Sequence, residues 1–185
     1  DLRRSRGLGD VYKRQTSEGG AKIVDAGINY NGCLESGRLI TEICMGGLGK
    51  VDLTMTSNTD NWPLTINVSS TNPVLSCLAS QYAGWNLSFV KEEDNFNALG
   101  SGPCRALALK EDLFKDLDYS DKFYSTVVVL EVDRNPPQEI IDKISTDCGV
   151  SEKNLTIIRL RLNLYQEVFK LLEEFWRLVC ISSMK

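Results

Sequence analysis

The chain has 185 residues, of which 42% are hydrophobic, and its formal net charge is −4 at pH 7. This length suits one domain or slightly more, and the composition is typical of a chain with an ordinary hydrophobic core. The negative net charge, without a lysine- or arginine-rich stripe, argues against a nucleic-acid partner, and no apolar run reaches the roughly 18 residues that a membrane span needs.

The titratable residues restrict the possible chemistry further. There are no histidines, and the six cysteines are scattered without a Cys-x-x-Cys pair. Histidine-based metal sites, Ser-His-Asp triads and Cys-His dyads are therefore excluded, and no metal centre is expected. Scattered cysteines without a signal peptide favour reduced thiols in a cytoplasmic protein. Acid–base chemistry would have to use carboxylates, lysine, tyrosine, cysteine or water.

The first segment, residues 1–15, differs from the rest of the chain. It is basic and interrupted by glycines, and it has no apolar period. Such a segment is either a mobile N-terminal arm or sequence that is not native to the protein, for example translated adapter or vector sequence. We predict the second, and we expect that these residues do not pack into the core.

From residue 21 onward, strand-like and helix-like patterns follow one another. The predicted strands are 21–27, 51–56, 62–68, 85–90, 125–132 and 155–158, and the predicted helices are 33–45, 74–82, 104–109, 111–118 and 138–148. The segment 91–95 is predicted to be a charged loop. Strands that alternate with helices predict an α/β or mixed α+β fold.

The most distinctive stretch is Gly100-Ser101-Gly102-Pro103, which precedes a short Ala/Leu-rich helix. Glycines on both sides of a serine allow positive φ angles and a close approach of the backbone to a ligand. Proline fits the first turn of a helix, whose unpaired N–H groups suit an anion or a carbonyl. Arg105 adds a positive charge in the same turn. The alternative is a plain loop-to-helix turn with no ligand.

Four stretches, taken in order, resemble the methenyltetrahydromethanopterin cyclohydrolase family, closest to its bacterial branch. The resemblance covers residues 20–158. The stretches are Asp-Ala-Gly at 25–27, Leu-Glu-Ser-Gly-Arg continuing to Glu-Ile-Cys-Met-Gly-Gly-Leu-Gly at 34–49, Ser-Gln-Tyr-Ala-Gly-Trp at 80–85, and Ala-Leu-Gly-Ser-Gly-Pro with Arg-Ala at 98–106.

The resemblance implies a cytoplasmic α/β enzyme of one-carbon metabolism that uses no metal and no other cofactor. It would hydrolyse 5,10-methenyltetrahydromethanopterin to the 5-formyl compound, and the complete protein would be a homotrimer that holds the pterin in a cleft. No metal is needed, because the methenyl carbon is a cationic electrophile to which water adds once a carboxylate takes the proton. The alternatives are a non-enzymatic module that binds a pterin or a small anion, and a structural domain without a ligand.

Two glycine-rich loops supply the candidate substrate-binding residues, and no catalytic residue is assigned. The glycines of the first loop either close over the pterin or merely end a helix. The second loop would offer N–H and hydroxyl donors, and its arginine would pair with a site carboxylate or an anionic coenzyme tail, or else lie on the surface. Cys104 is expected to be a packed thiol. We expect the two loops to line one concave surface side by side. The candidates are Gly46, Gly47, Gly49, Gly100, Ser101, Gly102 and Arg105.

The resemblance ends after residue 158. The family would continue with a small turn and a helix that carries Gly-Arg-x-x-Glu, whose arginine and glutamate are implicated in catalysis. Read across codon boundaries, permitted codons for 159–179 spell Ala-Pro-Thr-Gln-Ser-Leu-Ser-Gly-Ser-Ile-Gln-Ile-Val-Gly-Arg-Val-Leu-Glu-Val, the expected continuation. We therefore predict a frameshift near residue 159 and a tail, 159–185, that is helical by composition only. Such a chain would bind the pterin weakly and would not turn it over.

Overall fold

The computed structural model describes residues 13–17, 19–29, 34–55, 64–91 and 94–161. Within these ranges the predicted strands and helices appear in the predicted order, together with two strands that the sequence analysis did not predict, at Lys13–Thr16 and Asp94–Ser101. The strands are β1 (Lys13–Thr16), β2 (Lys22–Asp25), β3 (Gly49–Met55), β4 (Leu64–Ser70), β5 (Trp85–Lys91), β6 (Asp94–Ser101), β7 (Thr126–Glu131) and β8 (Leu155–Leu160). The helices are α1 (Leu34–Cys44), a π-helix (Val74–Gln81), α2 (Cys104–Ala108), α3 (Leu113–Leu117), α4 (Gln138–Cys148) and a 3-10 turn (Glu152–Asn154).

Six of the strands form one mixed sheet in the order β1-β2-β8-β7-β6-β5. The three central strands, β2, β8 and β7, are parallel, whereas β1, β6 and β5 pair antiparallel to their neighbours. Strands β3 and β4 form a separate antiparallel pair. Parallel central strands connected through helices are the arrangement of α/β proteins, and the predicted fold class is confirmed.

Helices cover both faces of the large sheet. On one face α4 packs its isoleucines against the central strands, and the cluster includes Ile140, Ile144, Leu130, Ile157 and Trp85. On the other face α1 packs Ile40, Ile43 and Cys44 against Val129 and Ile158. Strand β7 is therefore buried on both faces, as its run of four apolar residues predicts.

The helix predicted at 74–82 is a π-helix. Its first turn begins as the sequence indicates, since the side chain of Asn72 accepts a hydrogen bond from the N–H of Leu75 at 3.1 Å. At its C-terminal end, the N–H of Tyr82 donates to the carbonyl of Cys77 at 2.8 Å, which is the spacing of five residues that defines the π form.

The predictions differ most clearly from the structure at three places. Among the described residues of the predicted charged loop 91–95, Lys91 ends β5 and Asp94 already begins β6 opposite it. Residues 13–15 of the predicted arm lie in β1, which pairs with the edge of the sheet. Strand β8 continues past the predicted break to Leu160. Residues 1–12 and 162–185 lie outside the described residues, so the non-native arm and the frameshifted tail stay predictions.

Candidate functional site

The two glycine-rich loops meet, as predicted, and a serine of the π-helix lies between them. Gly46 has a φ of +65°, and a Cβ atom at this position would lie 2.9 Å from Ser80 Oγ and 3.9 Å from Pro103 Cβ. Only glycine fits this backbone conformation and this close approach without strain. The position of the first loop against the second thus depends on Gly46.

The glycines of the first loop also end helix α1. The N–H groups of Gly46 and Gly47 donate to the carbonyls of Ile43 and Glu42 at 2.9 and 3.0 Å, and Gly47 has a φ of +73° with open space beside it. Gly49 begins β3. The helix-capping interpretation therefore accounts for the backbone of Gly46 and Gly47, while contact of these glycines with a substrate stays a prediction.

The donors of the second loop do not point to open space. The hydroxyl of Ser101 donates to the carbonyl of Gln81 at 2.5 Å, and the N–H of Gly102 donates to the carbonyl of Ser80 at 2.8 Å. Both groups already satisfy carbonyls of the last π-helical turn in this structure, so their donation to the pterin stays a prediction. Gly100 is a buried strand residue paired with Trp85.

Arg105 is a buried structural arginine. Its Nε and Nη2 atoms donate to the two carboxylate oxygens of Glu111 at 2.7 and 2.6 Å, and Nη1 donates to the carbonyls of Leu78 and Ser80 at 2.9 and 3.3 Å. The predicted pairing of Arg105 with a carboxylate is therefore found. The alternative prediction, an arginine on the surface, is wrong. A guanidinium with no exposed surface is not available to an anionic coenzyme tail.

The candidates of the second loop and Gly46 therefore converge on Ser80, which was not among the candidate residues. Ser80 is only 5% exposed, and its hydroxyl has no hydrogen-bond partner among the described residues. An unsatisfied buried hydroxyl costs about 1–3 kcal/mol, so its presence needs an explanation. π-helical turns occur frequently at functional sites. The sequence contains Ser80 in one of the four resembling stretches, but its isolation depends on the π-helical turn, which no local pattern indicates.

Asp25, in the first of those stretches, organises the loop that follows β2. Its carboxylate accepts hydrogen bonds from the backbone N–H groups of Ile28 at 2.9 Å and Gly27 at 3.2 Å. Burial alone would raise the pKa of Asp25, but these bonds and those from Asn29 lower it below the ordinary value of 3.8. Arg159 approaches the same carboxylate only at 3.5 Å, and its Nε has no hydrogen-bond partner among the described residues.

Cys104 is a packed thiol, as predicted. It is fully buried, and this burial raises the pKa of the thiol well above its ordinary value. The thiol of Cys148 donates to the carbonyl of Cys104 at 3.4 Å, so the two cysteines pack together. A thiol with a raised pKa is a poor nucleophile.

Two types of site are not found in the described part of the chain. No group of three or more His, Cys, Asp or Glu residues there could hold a metal ion. Across the same residues, no helix is long and apolar enough to span a membrane. The expected absence of a metal stays an expectation.

The family whose sequence pattern matches is described as Cyclohydrolase (MCH), and the match covers residues 11–163. A methenyltetrahydromethanopterin cyclohydrolase of Methylobacillus flagellatus is 58% identical over 139 residues, which are 75% of this chain and 41% of that protein. Proteins of the same name from Xanthobacter autotrophicus and Methanospirillum hungatei are 46% and 42% identical over 80% and 76% of this chain, and over 44% of each relative. The chain thus spans less than half the length of these curated relatives. The predicted resemblance is confirmed: the chain belongs to the cyclohydrolase (MCH) family.

Proposed function

We propose that the complete protein hydrolyses 5,10-methenyltetrahydromethanopterin to 5-formyltetrahydromethanopterin in one-carbon metabolism. The observation that carries the proposal is the 58% identity, over 139 residues, to a relative named for this activity. The proposal includes a cytoplasmic homotrimer that needs no metal or other cofactor and has no nucleic-acid or membrane partner.

The reaction requires little beyond a shaped pocket and a proton acceptor. The methenyl carbon is already cationic, so water adds to it when a carboxylate removes the proton and polar groups stabilise the tetrahedral intermediate. In this chain Ser101, Gly102 and Arg105 hold the last turn of the π-helix through its carbonyls. Their proposed role is to fix the position of Ser80 beneath Gly46, since a binding group needs rigid support from its neighbours.

The chain as given is proposed to be inactive. The two loops around Ser80 are present, but the family's Gly-Arg-x-x-Glu helix is not found in the sequence after residue 158. Groups that act together in catalysis are strongly non-additive, so the loss of one member commonly removes several orders of magnitude in rate.

The test compares this chain with a full-length version in which the reading frame is restored after codon 158. Loss of the methenyl absorbance is followed for both proteins at equal concentration, with the uncatalysed reaction as the control. We expect turnover by the complete protein and none above the control by this chain. Equal rates would show that the chemistry does not need the missing segment. Binding of the pterin without turnover by the complete protein would favour the non-enzymatic module.

A further inference from the structure

A groove of about 480 Å³ opens where the parallel strands β2, β7 and β8 begin. This volume lies within the range of about 300–1,000 Å³ that is usual for small-molecule sites. Its lining includes Pro103 and the segment that leads into β7. The lining residues that matter for its chemistry are Lys22, Lys153, Asp121, Phe123 and Tyr124.

The groove carries two lysines without anionic partners. Lys22 and Lys153 are both exposed, and neither has a carboxylate oxygen within 4 Å in the described part of the chain. The one acidic residue of the lining, Asp121, accepts a hydrogen bond from the backbone N–H of Lys122 at 2.7 Å. The lining is therefore positive in a chain whose net charge is −4, and such a local field attracts anions.

An aromatic pair forms the second feature of the groove. Phe123 and Tyr124 are 58% and 71% exposed, and their ring centroids lie 4.5 Å apart. Large aromatic side chains left in solvent at the rim of a cavity are a frequent mark of a binding surface. They offer a flat apolar contact to a ring of the ligand.

From these two features we infer that the groove binds a small aromatic anion, a ring that bears a phosphate or carboxylate group. The ring packs against Phe123 and Tyr124, and the anionic group lies between the ammonium groups of Lys22 and Lys153. This inference does not depend on the proposed hydrolysis, because the two lysines and the aromatic pair that carry it are not among the residues around Ser80.

The probe for this site is phenyl phosphate, titrated into the 185-residue chain by isothermal calorimetry. The double variant Lys22→Gln/Lys153→Gln is expected to weaken binding by about tenfold, because it removes both positive charges that face the anionic group. The matched control is Lys50→Gln, an exposed lysine of β3 outside the groove, which should leave the affinity unchanged.

Three further probes separate the contribution of the ring to binding from that of the anionic group. Benzoate should bind at the same site, inorganic phosphate should bind more weakly because it lacks the ring, and benzyl alcohol should not bind measurably. Amide and side-chain NMR shifts of the unmodified chain should change at Lys153, Phe123 and Tyr124, which tests the site even where a variant fails to fold. The inference is overturned by no binding of phenyl phosphate at millimolar concentration, by binding that the double lysine variant retains, or by shifts that fall elsewhere.

Discussion

At the scale of single residues, two serines of the site differ in the hydrogen bonding of their hydroxyl groups. The Ser101 hydroxyl satisfies the carbonyl of Gln81, whereas the buried hydroxyl of Ser80 satisfies none among the described residues. Ser101→Ala should lower the free energy of unfolding by about 1–2 kcal/mol, because it leaves a buried carbonyl without its donor. Ser80→Ala should leave stability unchanged or raise it by about 1 kcal/mol, because it removes an unsatisfied group. Urea unfolding followed by circular dichroism measures both. Equal destabilisation by the two substitutions would mean that the Ser80 hydroxyl is structural.

The two arginines that are buried among the described residues also differ in their hydrogen bonding. Arg105 makes four hydrogen bonds to Glu111, Leu78 and Ser80, whereas Arg159 has one contact with Asp25 at 3.5 Å and an unpartnered Nε in the described structure. Arg105→Ala should cost about 3–5 kcal/mol, because it leaves a partly buried carboxylate and two carbonyls unpaired. Arg159→Ala should cost less than about 1 kcal/mol, since little is lost and a desolvated charge is removed.

Urea unfolding of both arginine variants tests this difference and bears on the predicted frameshift. Alanine is the residue that the shifted reading frame places at position 159. A large destabilisation by Arg159→Ala would indicate that this arginine is native to the strand.

The buried carboxylate of Asp25 predicts a dependence of stability on pH. Its folded-state pKa lies below the ordinary value of 3.8, so the stability it contributes is present above that value and is lost as the pH falls through the folded pKa. Asp25→Asn should therefore lower the free energy of unfolding at pH 7, and the difference from the unmodified chain should shrink below about pH 4. Urea titrations of both proteins at pH 7, 5 and 3 measure this difference. If the difference in the free energy of unfolding between the two proteins stayed constant from pH 7 to pH 3, the assignment of a lowered folded-state pKa to Asp25 would be contradicted.

At the scale of elements, the contact between the α1 loop and the π-helix depends on the lack of a side chain at Gly46. Gly46→Ala should destabilise the protein by about 1–3 kcal/mol, because it combines a positive φ with a clash against Ser80 Oγ. Gly47→Ala is the matched control, since its φ of +73° is similar but its Cβ would meet no atom within 4 Å. Gly47→Ala should lower the free energy of unfolding by only about 1 kcal/mol, which is the cost of a positive φ for alanine.

A double-mutant cycle isolates the contact between the two elements. Ser80→Ala removes the Oγ atom that a Cβ at Gly46 would meet at 2.9 Å. The variant Gly46→Ala/Ser80→Ala should therefore recover about 0.5–1 kcal/mol relative to the sum of the single changes. Strict additivity would show that the loop has moved away from Ser80.

At the scale of the whole molecule, the chain covers 41% of the relative from Methylobacillus flagellatus, and the predicted change of frame lies near the end of strand β8. If the frame changes there, the side chains that follow are unrelated to the family's own segment and are not shaped to cover the apolar surface at that position. We expect a full-length version with the frame restored to unfold at a higher temperature than this chain, which calorimetry can measure.

Equal unfolding temperatures would mean that the tail packs as well as the family's own segment. Sequencing of the source DNA around codon 159 checks the frameshift itself. An uninterrupted frame with unrelated codons there would end that hypothesis.

The sequence by itself determined most of the elements and the family. Local signals were sufficient for α4, which runs from Gln138 to Cys148 and ends at Gly149 in the left-handed conformation, and for the start of the π-helix at Asn72. These features depend on residues three to four positions apart, so propensity and capping chemistry predict them. The adjacency of the two glycine-rich loops followed from the resemblance of the four stretches, not from local pattern.

Only the tertiary structure decided what the candidate side chains do. Ser101 and Arg105 were expected to face a ligand, yet they bond to carbonyls 20 and 27 positions away, at Gln81 and Leu78. The packing of β6 and α2 against the π-helix determines which donor reaches which carbonyl. Residues this far apart in the sequence form no local pattern from which the pairing could be predicted. The same packing leaves the hydroxyl of Ser80 buried without a partner among the described residues. A hydroxyl's isolation is a property of its surroundings, so no residue pattern could have indicated it.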